Sequence, residues 1–293
     1  MRQGRTGRAI FASALLVFMV GLGLRANAAD KAPTNSPEVR SAAVLVADAT
    51  NGEVIFERDA GRVAPIASIT KLMTALVVLD GQQPLDEKVE ITNDDRWKGK
   101  GAHSRLPVGA KLTRGDLLRL ALMASENRAA LVLARNYPGG KAAFVRTMNA
   151  KAKALGMTKT RFDDPSGLSS LNVSSARDLA KLVSAATRDT RIREFSTLQS
   201  HEVRVGRSVL GYRNTNLLIG RPDWEILVQK TGFTNDAGEC LVMQAMIGER
   251  PVTMVLLNSF GKLTRTADAR RIRKWMEAQS SPQLAGGAEL AKK

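Results

Sequence analysis

The strongest pattern of hydrophobic positions in the chain is a helical run over residues 65–80, with the sequence PIASITKLMTALVVLD. Apolar side chains occupy most of the circumference of this run, which is typical of a helix buried on most sides. Pro65 before the run and Ser68 near its start are residues that favour a helix N-terminus. We therefore expect a central helix here, with the polar residues Ser68 and Lys71 near its first turn.

On either side of this helix the hydrophobic period predicts strands, then a block of helices, then strands and a last helix. Two runs around Asn51-Gly52 predict a β-hairpin. The predicted strands are 41–49, 53–57, 89–92, 202–205, 225–229, 240–247 and 252–257, and the predicted helices are 115–124, 127–136, 142–155, 174–187, 191–198 and 264–278. Isolated hairpins are only marginally stable, so we expect the two strand groups to join in one antiparallel sheet of an α+β fold.

The N-terminus has the pattern of a secretory signal peptide. Arg2, Arg5 and Arg8 precede an apolar stretch over 9–24, and Ala26-Asn27-Ala28 forms an A-x-A cleavage site. A membrane anchor is the alternative, but the stretch is short against the roughly 20 residues that a helix needs to span a bilayer. We expect a signal peptide over 1–28, a flexible lead-in over 29–40 and one domain over 41–280. That domain would include a helical subdomain at about 93–198, and a flexible tail would follow over 281–293.

The net charge favours an anionic partner. Cleavage after Ala28 removes four arginines and no acidic residue, which changes the formal charge from +16 to +12. A basic secreted protein suits a cell-wall polymer or a membrane surface. Nucleic acid is excluded as a partner, because only 4% of the residues are aromatic and no nucleic-acid-binding motif is present.

Cysteine and histidine are too scarce for several common kinds of site. Cys240 is the only cysteine, so neither an intrachain disulfide nor a cysteine-based metal site can form. It lies in an apolar run, which predicts a buried and inert thiol. His103 and His201 are the only histidines, and neither occurs in a nucleophile-elbow context, so we expect both to be ordinary residues.

Ser68 and Lys71 have the spacing S-x-x-K, which places both side chains on one face of a helix, about 5–6 Å apart at Cβ. A serine hydroxyl becomes a good nucleophile when a base takes its proton. Lysine can be that base if burial or a second cation lowers its pKa towards neutrality. The alternative is a capping serine followed by a surface lysine.

Two further motifs follow in the chain. Ser125-Glu126-Asn127 is an S-x-N at the junction of two predicted helices, and Lys230-Thr231-Gly232 follows a predicted strand. The lysine could bind a carboxylate, and the glycine would let a substrate backbone lie close to the strand. Taken singly, these could be a helix boundary and a turn. Ser170-Leu171-Asn172 is a competing S-x-N in a predicted loop, but Ser125 ends a buried helix and is the preferred candidate.

The ordered set S-x-x-K, S-x-N and K-T-G occurs in penicillin-binding proteins and class A β-lactamases. The chain over about 41–276 resembles the low-molecular-weight D-alanyl-D-alanine peptidases, and within them the D,D-endopeptidase type, penicillin-binding protein 7. The resemblance is carried by PIASITKLMTALVVLD, by LMASEN at 122–127, by DPSGL at 164–168, by QKTGFTNDAG at 229–238 and by RLPVGAKLTRGDLLRLAL at 105–122. It implies a β-lactamase/transpeptidase-like fold, with an antiparallel sheet flanked by helices.

The resemblance also implies the site. Ser68 would attack the carbonyl of a D-alanine in a peptidoglycan stem peptide and form an acyl-enzyme, with Lys71 as general base and Ser125 relaying the proton to the leaving amine. Three further roles are implied: Asn127 would orient both the substrate and Lys71; Lys230 and Thr231 would bind the substrate carboxylate; and the N–H groups of Ser68 and Phe233 would form the oxyanion hole. Lys230 would also help to keep Lys71 neutral. No metal or cofactor is implied, and β-lactams would be covalent inhibitors.

Several alternatives stay open from the sequence. A D-alanyl-D-alanine carboxypeptidase would use the same residues. A class A β-lactamase would need a deacylating glutamate, whereas residues 160–172 contain Asp163 and Asp164 and no glutamate. A non-catalytic wall-binding protein is the alternative from another class. The signal peptide predicts a periplasmic location, with at most peripheral membrane association through positive charge.

Overall fold

The computed structural model describes residues 36–99 and 103–280. The predicted signal peptide, residues 29–35 of the predicted lead-in and the predicted tail lie outside the described residues. These assignments stay predictions, and so do the bounds of the domain and of its helical subdomain. None of the described helices combines the length and the hydrophobicity that a membrane span requires.

The structure contains strands and helices in the predicted order. The strands are β1 (Ala43–Asp48), β2 (Val54–Arg58), β3 (Ala64–Pro65), β4 (Lys88–Glu90), β5 (Lys111–Thr113), β6 (Val173–Ser174), β7 (Ser200–Val205), β8 (Ser208–Arg213), β9 (Glu225–Thr234), β10 (Gly238–Ile247) and β11 (Arg250–Ser259). The α-helices are α1 (Thr70–Asp80), α2 (Arg114–Met123), α3 (Asn127–Arg135), α4 (Gly140–Ala154), α5 (Ala176–Thr187), α6 (Thr190–Thr197) and α7 (Thr264–Ser280), and 3-10 turns occupy Ala67–Ile69 and Asn93–Asp95.

The main sheet has the strand order β2-β1-β11-β10-β9, and each neighbouring pair is antiparallel. The N-terminal hairpin therefore joins the C-terminal strands, as predicted, and the α+β fold class is confirmed. Since β1 is fully buried, its two faces pack on different layers. Ala43 and Leu45 belong to the core shared with α1 and α5, whereas Val44 and Val46 pack with Ile272 of α7.

Helix α1 is the centre of the larger core. Every residue from Thr70 to Leu79 is buried, which confirms the prediction of a helix enclosed on most sides. The other predicted helices are also present, with bounds within two residues of those expected. The burial of Lys71 inside this helix is unusual, because lysine is rarely buried completely unless it has partners.

Strand β7 corrects one prediction. It pairs with β8 in a separate hairpin and takes no part in the main sheet. The sequence did not predict β8, because the strand alternates weakly and Gly211 interrupts it. The short strands β3, β5 and β6 were also missed, since two or three residues are too few to show a period.

Strand β9 is longer than predicted and continues through the K-T-G motif to Thr234. Lys230, Thr231 and Gly232 pair with Val242, Leu241 and Cys240 of β10. The motif thus lies within an edge strand of the sheet rather than after it. The polar residues at 230 and 231 led to a predicted strand end, because polar residues usually indicate exposure to solvent. Here both side chains are buried in a polar cleft.

Cys240 is buried, as predicted, and burial raises the pKa of its thiol to about 11. Neither described histidine has a hydrogen bond with Ser68. His201 Nε2 lies 2.9 Å from Asp116 Oδ1 on α2, and His103 is exposed in the loop before α2.

Candidate active site

Ser68 and Lys71 meet where a 3-10 turn runs into α1. Ala67 has a positive φ of 47°, an uncommon conformation for a residue with a side chain, and it sets the direction in which the turn enters the helix. Ser68 is half-buried. The Lys71 ammonium donates hydrogen bonds to Ser68 Oγ (2.7 Å), Asn127 Oδ1 (2.7 Å) and the Ser166 carbonyl (2.6 Å).

These three acceptors fix the nitrogen of Lys71 beside the Ser68 hydroxyl. Burial lowers the pKa of Lys71 to about 7, against the opposing effect of the nearby carboxylates of Asp164 and Glu126. Neutral lysine is therefore well populated at neutral pH, with its nitrogen 2.7 Å from Ser68 Oγ. A group with a pKa near the working pH is suited to act as a general base.

Ser125 and Asn127 enter the cleft from the junction of α2 and α3. Ser125 has a φ of 59°, which breaks the helical path between the two helices, and Asn127 is the first residue of α3. Asn127 accepts from Lys71, while Ser125 Oγ accepts from Lys230 Nζ at 2.9 Å. Glu126 between them accepts from the Arg128 amide and caps α3.

The competing motif has a different position. Ser170 is exposed in the loop after the DPSGL segment. Asn172 is buried and holds that loop together: its amide donates to Thr70 Oγ1 and to the Asp164 carbonyl, and its Oδ1 accepts from the backbone amides of Asp163 and Asp164. The contacts of Asn127, and not those of Asn172, reach Lys71.

The K-T-G strand closes the other side of the cleft. The Lys230 ammonium is fully buried and donates to Ser125 Oγ and to the Thr231 carbonyl. Burial lowers the pKa of Lys230 well below its usual value, and the charges of Lys71 and Arg265 lower it further. The expected repulsion between the two lysines thus lowers the pKa of Lys230, whereas the lowered pKa of Lys71 is caused mainly by burial.

Gly232 allows β9 to pack against the turn that carries Ser68. A Cβ atom at this position would lie 2.9 Å from the Ile66 carbonyl oxygen and 3.1 Å from the Ser68 nitrogen. The next residue, Phe233, is also in β9, and its side chain is more than half exposed. The backbone of the strand is therefore adjacent to Ser68, which is the arrangement that the predicted oxyanion hole requires.

Sequence reasoning missed several residues that support the site. Asp164 accepts hydrogen bonds from the backbone amides of Ser166, Gly167 and Ser169, so this loop presents the Ser166 carbonyl to Lys71. The only sequence signal was the DPSGL segment, which had served for the family resemblance alone.

Thr215 and Arg265 were also missed. Thr215 Oγ1 lies 2.6 Å from Thr231 Oγ1, and Arg265 of α7 donates to the carbonyls of Gly232 and Cys240 while forming an ion pair with Glu239. Both residues lie far in sequence from the motif they support, and nothing in their local pattern marks them. Among residues 36–99 and 103–280, no group of three or more His, Cys, Asp or Glu side chains could hold a metal ion.

Comparison with known proteins identifies the family. A model of the D-alanyl-D-alanine carboxypeptidase family, peptidase S11, matches residues 29–261. The chain belongs to this family. It is 51% identical to a D-alanyl-D-alanine endopeptidase of Pseudomonas aeruginosa over 82% of this chain and 78% of the relative. It is 47% identical to a D-alanyl-D-alanine endopeptidase of Escherichia coli, over 83% of this chain and 79% of the relative.

Solved structures of the family have the same fold. The crystal structure of the Streptomyces K15 DD-transpeptidase is 27% identical and superposes with a TM-score of 0.78, covering 84% of this chain and 100% of that chain. The predicted transpeptidase-like fold and the predicted serine-type D-alanyl-D-alanine peptidase are thereby confirmed. The individual roles of Ser68, Lys71, Ser125 and the substrate-binding residues stay predictions.

Proposed function

We propose that this S11 peptidase is a peptidoglycan D,D-endopeptidase that opens D-alanyl cross-links through a Ser68 acyl-enzyme. The observation that carries the proposal is the Lys71 nitrogen 2.7 Å from Ser68 Oγ, with the pKa of Lys71 lowered to about 7. Lys71 takes the hydroxyl proton as Ser68 Oγ attacks the D-alanine carbonyl carbon. Ser125, whose Oγ accepts from Lys230 at 2.9 Å, then gives its hydroxyl proton to the leaving amine and takes the proton held by Lys71, and water releases the acyl group from Ser68.

The remaining residues of the site bind the substrate and the negative charges of its carboxylate and of the oxyanion. Lys230 and Thr231 would hold the carboxylate of the leaving group, which would add an anionic partner to the hydrogen bonds that buried Lys230 makes with Ser125 and the Thr231 carbonyl. The N–H groups of Ser68 and Phe233 would donate to the oxyanion, and each such donor is worth about 10²–10³ in rate. Asn127 orients both Lys71 and the substrate peptide.

The names of the relatives from Pseudomonas aeruginosa and Escherichia coli support the endopeptidase activity. The description of the family itself favours a second candidate, a D-alanyl-D-alanine carboxypeptidase. Both reactions cleave after a D-alanine and use the same acyl-enzyme. They differ in the leaving group, which is a cross-linking diamino acid in one and free D-alanine in the other.

A long-lived penicillin adduct is part of the proposal. The loop over 160–172 carries no glutamate, and the carboxylate of its buried Asp164 is already bound by backbone amides of that loop. No carboxylate of this loop is therefore free to activate water in the cleft except Asp163, which is exposed on the surface. A class A-like β-lactamase would turn penicillin over, and a wall-binding protein without activity would not react with it.

We place the enzyme in the periplasm, on the basis of the signal peptide predicted over residues 1–28. Its hold on the membrane would be at most peripheral and sensitive to salt, because it would rest on positive charge. Cells would be fractionated after a wash in high salt. Recovery in detergent extracts alone would contradict this location.

Two assays test the function. Purified enzyme would be incubated with cross-linked muropeptide dimers and with monomeric pentapeptides, and the products would be measured by mass spectrometry. We expect dimers to be cleaved faster; faster release of D-alanine from pentapeptides would establish the carboxypeptidase instead. A gel with fluorescent penicillin should give a stable labelled band, whereas turnover or absence of the label would favour the β-lactamase or the wall-binding protein.

A further inference from the structure

A cavity of about 810 Å³ lies at the edge of the main sheet opposite to β9, between the β1–β2 hairpin and α5. None of Ser68, Lys71, Ser125 and Lys230 lines it. Ligand-binding cavities of proteins have volumes of roughly 300–1,000 Å³. This cavity is therefore large enough for a short peptide and is separate from the catalytic cleft.

We call this cavity the α5 trough. One of its walls is a single face of α5 together with the residues that cap this helix. Residues three, four and seven positions apart lie on the same side of a helix. Those that face the trough are Arg177, Ala180, Lys181, Ser184, Ala185 and Arg188. Small side chains in the middle leave the space open, and cations occupy both ends. The cations extend over about 16 Å, at 1.5 Å per helical residue.

The opposite wall of the cavity is formed by the β1–β2 hairpin. The turn of the β1–β2 hairpin is held by hydrogen bonds from the amides of Thr50 and Gly52 to Asp48 and from the amide of Glu53 to Asn51. Leu45 and Val54 add apolar surface from the hairpin strands. A preformed wall lowers the entropy cost of binding.

The charge of the trough is positive and only partly compensated. Its two carboxylates are occupied: Asp48 pairs with Arg250, which lowers the pKa of the carboxyl, and Asp178 accepts from Lys159 N and Thr160 Oγ1. Of the four cations that line the trough, Lys159 donates to the neutral Gly61 carbonyl, whereas Lys181 donates to the Gly156 carbonyl and also forms an ion pair with Asp178 at 3.5 Å.

A third cation, Arg177, pairs with Glu57. The guanidinium of Arg188 makes no hydrogen bond or ion pair with any residue that the structure describes. Lys159 and Arg188 therefore have no acidic partner among the described residues, and their charge remains available for an anionic ligand.

From this arrangement we infer that the α5 trough is a non-catalytic binding site for the peptide part of peptidoglycan. Stem peptides carry alanine methyl groups and free carboxylates at intervals. The methyl groups would fit against the small side chains of the trough, and the carboxylates would pair with its cations. The inference rests on the proposed function for its choice of ligand. A second contact with the same polymer keeps the enzyme on the wall between cleavage events, because it raises the local concentration of substrate.

The test is the binding of purified, insoluble sacculi by protein whose Ser68 has been acylated with benzylpenicillin. The double variant Lys181→Gln/Arg188→Gln removes two cations of the trough. Ser184→Trp fills the trough without changing its charge, and the exposed position of Ser184 should tolerate the larger side chain. The matched control is Arg204→Gln/Arg207→Gln, which removes two exposed cations from the β7–β8 hairpin.

We expect both trough variants to bind sacculi about tenfold more weakly at 0.15 M salt and to digest sacculi correspondingly more slowly. The control variant should stay within about twofold of wild type. Acylation by penicillin and cleavage of soluble dimers should be unchanged in all three, since these need only the catalytic cleft.

Unchanged binding by both trough variants would overturn the inference and would leave the trough to another ligand, such as an acidic protein. An equal loss in the control would overturn it as well, because net charge alone would then explain the binding. Failure of the proposed function would look different. Wild-type protein would not react with penicillin or cleave dimers, while the comparison of sacculus binding could still be made with unacylated protein.

Discussion

The Lys230 nitrogen lies 2.9 Å from Ser125 Oγ, while Asn127, two residues later, accepts from Lys71. The two side chains of the S-x-N motif thus serve different lysines. The hydrogen bond of Ser125 is with the lysine of the K-T-G strand. A proton that passes from Ser68 to Lys71 and on through Ser125 to the leaving amine would therefore move beside the Lys230 nitrogen.

Ser68→Ala should abolish both penicillin labelling and muropeptide cleavage, with a fall of more than about 10³-fold in acylation rate, because the attacking oxygen is removed. The measurement is the rate of labelling by fluorescent penicillin. Ser170→Ala is the matched control, since Ser170 belongs to the competing motif and is exposed. Labelling of the Ser68 variant at the wild-type rate would assign the nucleophile to another residue.

The two asparagines should separate activity from stability. Asn127→Ala should slow acylation strongly and change the melting temperature little, because it removes an acceptor from Lys71. Asn172→Ala should lower the melting temperature by about 5 °C or more, because unpaired buried groups cost about 1–3 kcal/mol each. Thermal unfolding and acylation would be measured on both. If Asn172→Ala alone stopped acylation in a fully folded protein, the competing motif would be the functional one.

Acylation by penicillin should depend on pH through Lys71. Its pKa is lowered to about 7, so the neutral form that accepts the serine proton increases as the pH rises through 7. We expect the rate to rise about tenfold per pH unit below 7 and to level off above it.

The control for this pH profile is Lys71→Arg, in which the side chain stays protonated. This variant should be slow at every pH between 5 and 9. A wild-type rate independent of pH over this range, measured on folded protein, would remove Lys71 from the role of base.

Gly232→Ala should slow acylation by about 10²-fold, the value of one oxyanion donor, because the added methyl group pushes β9 away from the Ile66 carbonyl and the Ser68 amide. Gly211→Ala in β8 is the matched control. Its Cβ would be 3.8 Å from the nearest Glu202 atom, an ordinary contact. Equal acylation rates in the two variants would show that the close approach of β9 is not needed.

The sequence predicted the parts of the site that lie on a regular period or in a short motif. The spacing of Ser68 and Lys71 on a helix was enough to place both on one face, and the hydrophobic run around them predicted burial. The burial of Lys230 in the middle of β9 was not predictable from its pattern, because a lysine there reads as the end of a strand. Local rules of this kind fail most often at functional sites.

The contacts that support the catalytic cleft were not predicted, for a different reason. Ser166 and Thr215 reach the cleft from loops, and Arg265 reaches it from the last helix. Their positions depend on how the chain returns to the cleft, and short-range periodicity contains no information about that path. The pairing of β7 with β8 is local and was missed for another reason, because β8 alternates too weakly on the surface and Gly211 interrupts it.

Cys240 has a practical consequence for experiments on this enzyme. It is the only thiol in the chain, it is fully buried in β10, and its pKa of about 11 keeps it protonated at neutral pH. Maleimides react with exposed thiolates, so the native protein should resist them. A cysteine introduced at Ser184 would then be the single reactive thiol, and a fluorophore attached there could report on contact with the wall without any change to Cys240.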